Sequence, residues 1–147
     1  MKKFSFRLDR LLNYRKYLEK QAQKNLFNAR HEALRRDKAL KRLVEKRIET
    51  ERKCREEGLR GMDVSWYRIY QSFLQKSDHD LEKARIRLQK GEEKVRATVA
   101  ILEKKTVKKK TLEVLRDMQY QKYLKQLGKE EQKIMDETAV MGRKRKP

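Results

Sequence analysis

Residues able to do chemistry are few in this chain, and their spacing suits none of the usual reactions. His31 and His79 are isolated on polar helical faces, and Cys54 is the one cysteine. Without an H-x-x-x-H spacing or a second thiol there is no donor set for zinc. Acidic residues are frequent, but a carboxylate pair works as acid and base only in a water-excluding cleft that separates the two pKa values. No Walker-type phosphate loop is present. The expectation is a non-enzymatic chain with no catalytic residue, no cofactor and no metal site. One phosphate-binding candidate remains, the G-x-x-G of "EEGLRGMDVSW". Such a loop can clamp a nucleic-acid backbone, but only when strands surround it. Here it interrupts two helical patterns, so it reads as a hairpin tip.

Two further features carry chemistry of a looser kind. Lys104, Lys105, Lys108, Lys109 and Lys110 run without an intervening acid, and Arg143-Lys144-Arg145-Lys146 stands near the end of a chain with formal net charge +20. These runs could neutralise phosphates with a steep salt dependence, or could be a solvated helix face and a frayed tail. No basic-region or RNA-binding signature accompanies them. The second feature is aromatic: Trp66, Tyr67, Tyr70 and Phe73 lie close together after the glycine pair. Helical spacing puts Trp66, Tyr70 and Phe73 on one face, as a protein-binding patch or as a cap packed on Ile48 and Leu59.

The elements that position these residues follow from composition and period. Hydrophobic residues make up 37% of the 147, charged residues 44%, and there are five glycines and one proline. That is too little apolar volume for a compact core, yet the apolar residues recur on a stripe, which disordered chains lack. From Leu8 to Glu57, Leu11, Ala22, Ala33 and Val44 are spaced by eleven, a near-straight helical repeat. Acid-first pairs line the outside at Glu32/Arg36, Asp37/Lys41, Glu49/Lys53 and Glu51/Arg55. After Asp63, a plausible N-cap, Leu74, Leu81, Leu88, Val95 and Leu102 are seven apart, with Ala84, Gly91 and Thr98 between them. That is a heptad seam of alternating large and small positions.

The predicted fold is all-α: one long two-helix antiparallel coiled-coil hairpin over 1–147. Helix 1 covers about 4–57, the tip 58–62, helix 2 about 63–140, and a basic tail 141–147. Folding about residue 60 puts Ile48 near Phe73, Leu40 near Leu81 and Leu8 near Glu113. Helix 2 then overhangs by about 25 residues, approaching 40 Å at about 1.5 Å per residue. The overhang carries an apolar stripe of Tyr120, Tyr123, Leu127, Ile134 and Met135, with Lys122, Lys125, Lys129 and Lys133 available for an acidic partner. No apolar run reaches the roughly 20 residues of a membrane span, and Met1 to Arg7 does not resemble a secretory signal.

The opening "FSFRLDRLLNYRKYLEKQAQKNLFNAR", the post-tip run with Tyr70, Phe73 and Leu74, the element "KKKTLEVLRD" with Glu113, Leu115 and Arg116, and the ending "EEQKIMDETA" stand out together. They resemble stretches of flagellar export proteins of the FliJ family. The resemblance implies a cytoplasmic component of the flagellar type III export apparatus, peripherally associated with the inner face of the membrane at the flagellar base. It implies a stalk-like coiled coil that binds and stimulates a hexameric export ATPase, meets the cytoplasmic domain of the export gate, and engages export chaperones. On that reading Trp66, Tyr70, Phe73 and Leu74 at the tip would face the gate. Glu113, Leu115, Arg116, Tyr123, Leu127, Ile134 and Met135 would face the ATPase, with no specific nucleic acid bound. The alternatives are a basic coiled coil that binds nucleic acid and a purely structural coiled-coil dimer.

Overall fold

The computed structural model describes residues 3–144, for Lys144 the backbone alone. It contains α1 (Asp9–Arg60) and α2 (Val64–Lys144), and no strand among the described residues. The all-α helical hairpin is the observed architecture. Each acid-first pair anticipated on α1 forms: Glu32–Arg36 at 3.2 Å, Asp37–Lys41 at 2.9 Å, Glu49–Lys53 at 4.0 Å and Glu51–Arg55 at 3.9 Å. All are solvated, so each contributes only tenths of a kcal/mol to the helix.

The ends of the helices differ from expectation, each for a physical reason. α1 starts at Asp9, not near residue 4. In a helix Phe4 and Phe6 would point about 200° apart, whereas in an extended segment i and i+2 share a side. The segment from Lys3 to Phe6 is non-helical, Phe6 is buried, and the Asp9 amide donates to the Phe6 carbonyl at 3.1 Å. At the other end α1 passes through Gly58 to Arg60. A helical glycine costs only about 1 kcal/mol relative to alanine. The reversal needs a left-handed residue at one place, Gly61, with φ of 92°. The Gly61 amide donates to the Gly58 carbonyl at 3.3 Å. Asp63 opens α2 as anticipated, its carbonyl accepting the first helical bond from Tyr67 at 3.1 Å. α2 continues as helix to Lys144, beyond the expected end near 140. Arg145, Lys146 and Pro147 of the anticipated basic tail lie outside the described residues.

The chain divides into two compact units: Gln21–Glu103, and Met1–Lys20 with Lys104–Pro147. In the first of these the helices are antiparallel, since Arg47 reaches Asp78 at 2.6 Å while Arg36 donates to the Arg87 carbonyl at 2.8 Å. The small positions of the heptad form the contact line. Ala22, Ala29, Ala84 and Thr98 are buried, and so is Gly91. Of the larger positions Leu81 is buried, whereas Leu88, Val95 and Leu102 are only half-buried beside them. A Cβ added at Gly91 would stand 3.5 Å from the Ala33 Cα and 3.3 Å from the Arg36 Cδ. A fold about residue 60 would put Ala33 beside Leu88. Its neighbour is Gly91, because the turn sits at Gly61 and not at Gly58.

The second unit pairs the start of α1 with the later part of α2. Leu12 is fully buried, and Glu19, buried at 8% exposure, faces Lys109. The Lys109 ammonium lies 3.1 Å from Glu19 Oε1, 2.9 Å from Glu19 Oε2 and 4.0 Å from Glu113. Lys109 follows Leu102 by one heptad and occupies a seam position, so it is not part of a solvated basic run. Phe4 lies on Tyr120 and Tyr123, with ring centroids 5.1 and 5.7 Å away.

Two measurements check this packing. Gly91→Leu should lower stability by about 1–3 kcal/mol, because the line of contact has no room for a branched side chain. An unchanged melting temperature would show that the helices are not in contact there. For the ion pair, the Glu19 carboxylate beside Lys109 raises the ammonium's pKa above its ordinary 10.5. The stabilisation from the pair is then complete below pH 10.5 and is lost as pH rises through the raised native value. Lys109→Met should therefore melt below the parent chain at pH 8, by on the order of 2–4 kcal/mol for a buried charge left unpaired. The gap should narrow as pH rises through that raised value; a gap that persists beyond it would mean the lysine contributes by packing alone.

Candidate protein-interaction sites

The tip is built by the first two turns of α2 against the last turns of α1. Trp66 is 59% exposed, with Tyr67, Ile69 and Val64 also open to solvent. The partners expected for a structural cap are themselves exposed, Ile48 at 58% and Leu59 at 85%. Trp66 is therefore not covered. Tyr70 and Phe73 differ, each being half-buried and tied to α1. The Tyr70 hydroxyl donates to Glu57 at 3.0 Å, which pushes the phenol above its ordinary pKa, and the Lys46 ammonium stands 5.6 Å over the Phe73 ring. Leu74 is half-buried beside them. An open cavity of about 410 Å³ lies below Trp66 and Tyr70, lined also by Glu57, Arg60 and Met62. The tip thus presents one free indole above a cleft whose other ring is held by a hydrogen bond.

At the opposite end of α2 the anticipated residues divide into two sets. Glu113 is half-buried and within 4.0 Å of Lys109, so it belongs partly to the internal ion pair; Leu115 and Arg116 are exposed. Tyr123 is half-buried under Phe4. Leu127 is half-buried, while Ile134 and Met135 are exposed at 60% and 73%. The uncovered stretch starts after Tyr123, not at Tyr120, because an extended segment reaches about twice as far per residue as a helix. It is still about 20 residues long, on the order of 30 Å.

At 100° per residue, Tyr123, Leu127 and Ile134 continue the seam side of α2. Lys122, Lys125, Lys129 and Lys133, spaced by three and four, lie on the far side. Leu127 and Ile134 thus share one side of the helix with Glu130 and Glu137, and the lysines, with Asp136 among them, lie behind.

Three functional-looking positions escape a reading of periodicity alone. Phe4 and Glu19 become visible only with their partners, and Lys109 is disguised by its lysine neighbours. Carrying the heptad one step past Leu102 would have marked Lys109 as inward-facing. Among the described residues no group of three or more His, Cys, Asp and Glu is placed to hold a metal, and no helix is long and apolar enough to cross a membrane.

Comparison with known proteins found no match among curated proteins and none among solved structures. A protein-family model, described as flagellar FliJ protein, matches residues 4–147. The match takes in the extended Phe4 segment, both helices and the uncovered end of α2. The chain belongs to the FliJ family of bacterial flagellar proteins, components of the flagellar export apparatus.

Proposed function

We propose that this chain works within the export apparatus as a non-enzymatic adaptor, with the uncovered end of α2 binding a hexameric export ATPase and the tip binding the cytoplasmic domain of the export gate. The observation that carries the reading is the back-to-back arrangement after Tyr123. A partner lying on one side of the helix would meet either Leu127 and Ile134 or the lysine row, not both. A partner that encircles the helix meets both at once, and a ring of subunits does so. A single helix inside six subunits contacts each differently, and it shifts a subunit only by binding one of that subunit's conformations better than another. Export chaperones are the third partner class, and through these partners the chain would work at the inner face of the membrane.

The lysine run gives little support to nucleic-acid binding. Lys109 is turned into the seam and Lys105 is half-buried, which breaks the continuous basic surface that phosphate tracking needs.

Deleting residues 124–147 should abolish stimulation of ATP hydrolysis by the purified export ATPase. The truncated chain keeps Phe4 on Tyr120 and Tyr123, and Glu19 on Lys109, so its helicity per residue should be retained. Full stimulation by the folded, truncated chain would show that another surface engages the ring. At the tip, Phe73→Ala removes a cation–π contact worth about 0.5–1 kcal/mol and the packing of a half-buried ring, so helicity is measured beside binding. The substitution should weaken binding of the gate's cytoplasmic domain by more than about tenfold if Phe73 is among the few residues that dominate that interface. Unchanged affinity would remove Phe73 from it.

A further inference from the structure

Alongside the seam of the Gln21–Glu103 unit, two open cavities of about 520 and 640 Å³ adjoin, sharing Glu32 and Arg36 in their linings. Together they hollow one flank of α1 from Ala22 to Leu43, about 30 Å at 1.5 Å per residue, with Arg36 crossing between them to the Arg87 carbonyl. The small residues that let the helices approach also leave this flank hollow. Its floor is apolar, made by Ala22, Ala29, Ala39, Leu43 and Ala84, with the half-exposed Ile101 at one end. Its walls are basic around Leu43 and Ala84, with Lys38, Arg42 and Arg87, and around Ala29 they carry Lys94 with the neutral Asn25, Asn28 and Thr98.

Glu32 is the one acid in the lining, and it is already engaged by Arg35 at 3.3 Å and Arg36 at 3.2 Å. Arg36 is further held by the Arg87 carbonyl. Among the described residues no carboxylate pairs with Lys38, Arg42, Arg87 or Lys94, so the rims carry uncompensated positive charge.

We infer that this groove is a docking site for an amphipathic helix of a partner protein, one with a narrow small-to-medium apolar face flanked by acidic residues. An apolar floor between two helices suits the apolar stripe of a third helix, and the basic walls select acidic flanks. A second copy of this chain, with net charge +20, would bring like charge to like. A nucleic-acid strand would leave the alanine floor unused, and neither cavity is lined by an aromatic ring on which bases could stack. The groove is remote in sequence from both the tip and the uncovered end of α2. This inference does not depend on the roles proposed for them.

The test uses the full chain with alanine methyl groups labelled for NMR, at about 150 mM salt, near the physiological ionic strength at which surface charges are screened beyond about 8 Å. The probes are a capped helical peptide of roughly 20 residues, the length of the groove at 1.5 Å per residue, with a leucine–alanine face and glutamate flanks, its lysine-flanked twin, and a short duplex DNA. The acidic peptide should shift the methyls of Ala22, Ala29, Ala39 and Ala84 and leave Ala139 unmoved. Arg42→Glu combined with Arg87→Glu should weaken it at least tenfold at unchanged helicity, and Ala39→Trp, which fills the groove from an exposed position, should do the same. The inference is overturned if the lysine twin binds equally, if the acidic peptide produces no shifts or shifts elsewhere, or if duplex DNA displaces it at that salt.

Discussion

Two helices can hide apolar surface from water along only one line, and everything else in this molecule follows from how narrow that line is. Where the line runs through Ala22, Ala29, Ala84, Gly91 and Thr98, the backbones come close enough that a Cβ at Gly91 would meet the Ala33 backbone at 3.5 Å. Such contact yields little apolar burial per residue, since alanine and glycine have little side chain to bury. What is gained is proximity, which brings the long side chains of each helix within reach of the other. Arg36 reaches the Arg87 carbonyl, Arg47 reaches Asp78, and Lys46 reaches the Phe73 ring. Of the larger residues Leu26 and Leu81 are buried on the line, while Leu88 and Val95 flank it half-exposed.

A thin seam is also prone to slip, because one alanine resembles another. In the unit containing both ends of the described chain, the seam is interrupted by Glu19 against Lys109. A charged pair in an apolar line adds little net stability compared with a hydrophobic replacement, but a shift in register would leave both charges buried without a counter-ion. A polar residue at a seam position is a known way of fixing register. Phe4 adds a second constraint, since its ring meets Tyr120 and Tyr123 only at this alignment. These two contacts set where α2 loses its cover.

Much of this was legible in the sequence where the physics is local. The two helices, the place of Asp63 at the start of α2, the i,i+4 pairs of α1 and the small positions of the α2 heptad all depend on residues a few places apart. The misplaced features depend on distant partners. Gly58 and Gly61 are both able to end a helix, and only the path of the returning chain decides which one adopts φ of 92°. Lys109 looks like a member of a lysine run until Glu19 is placed opposite it. The Phe4-x-Phe6 pattern is a period-two signal inside a stretch otherwise read at period 3.6, and it was absorbed into the longer pattern. At the tip, the sequence marks an aromatic cluster but not its division into an open Trp66 and the tethered Tyr70 and Phe73.

The exposed apolar residues and the high charge are parts of the same solution. With one contact line, the aromatic tip, the stripe beyond Tyr123 and the hollow flank beside Ala39 are all left without cover. Apolar surface of that kind promotes self-association in a neutral protein. A net charge of +20 opposes it, because two copies repel before their apolar patches meet, while an acidic partner is drawn in over the same distance. Lysines lie behind the stripe of Leu127 and Ile134, and Lys38 and Arg42 border the alanine floor of the groove. On the reading proposed for the groove, that charge would favour an acidic partner there, whereas the end of α2 mixes its lysines with Glu130, Glu131, Asp136 and Glu137.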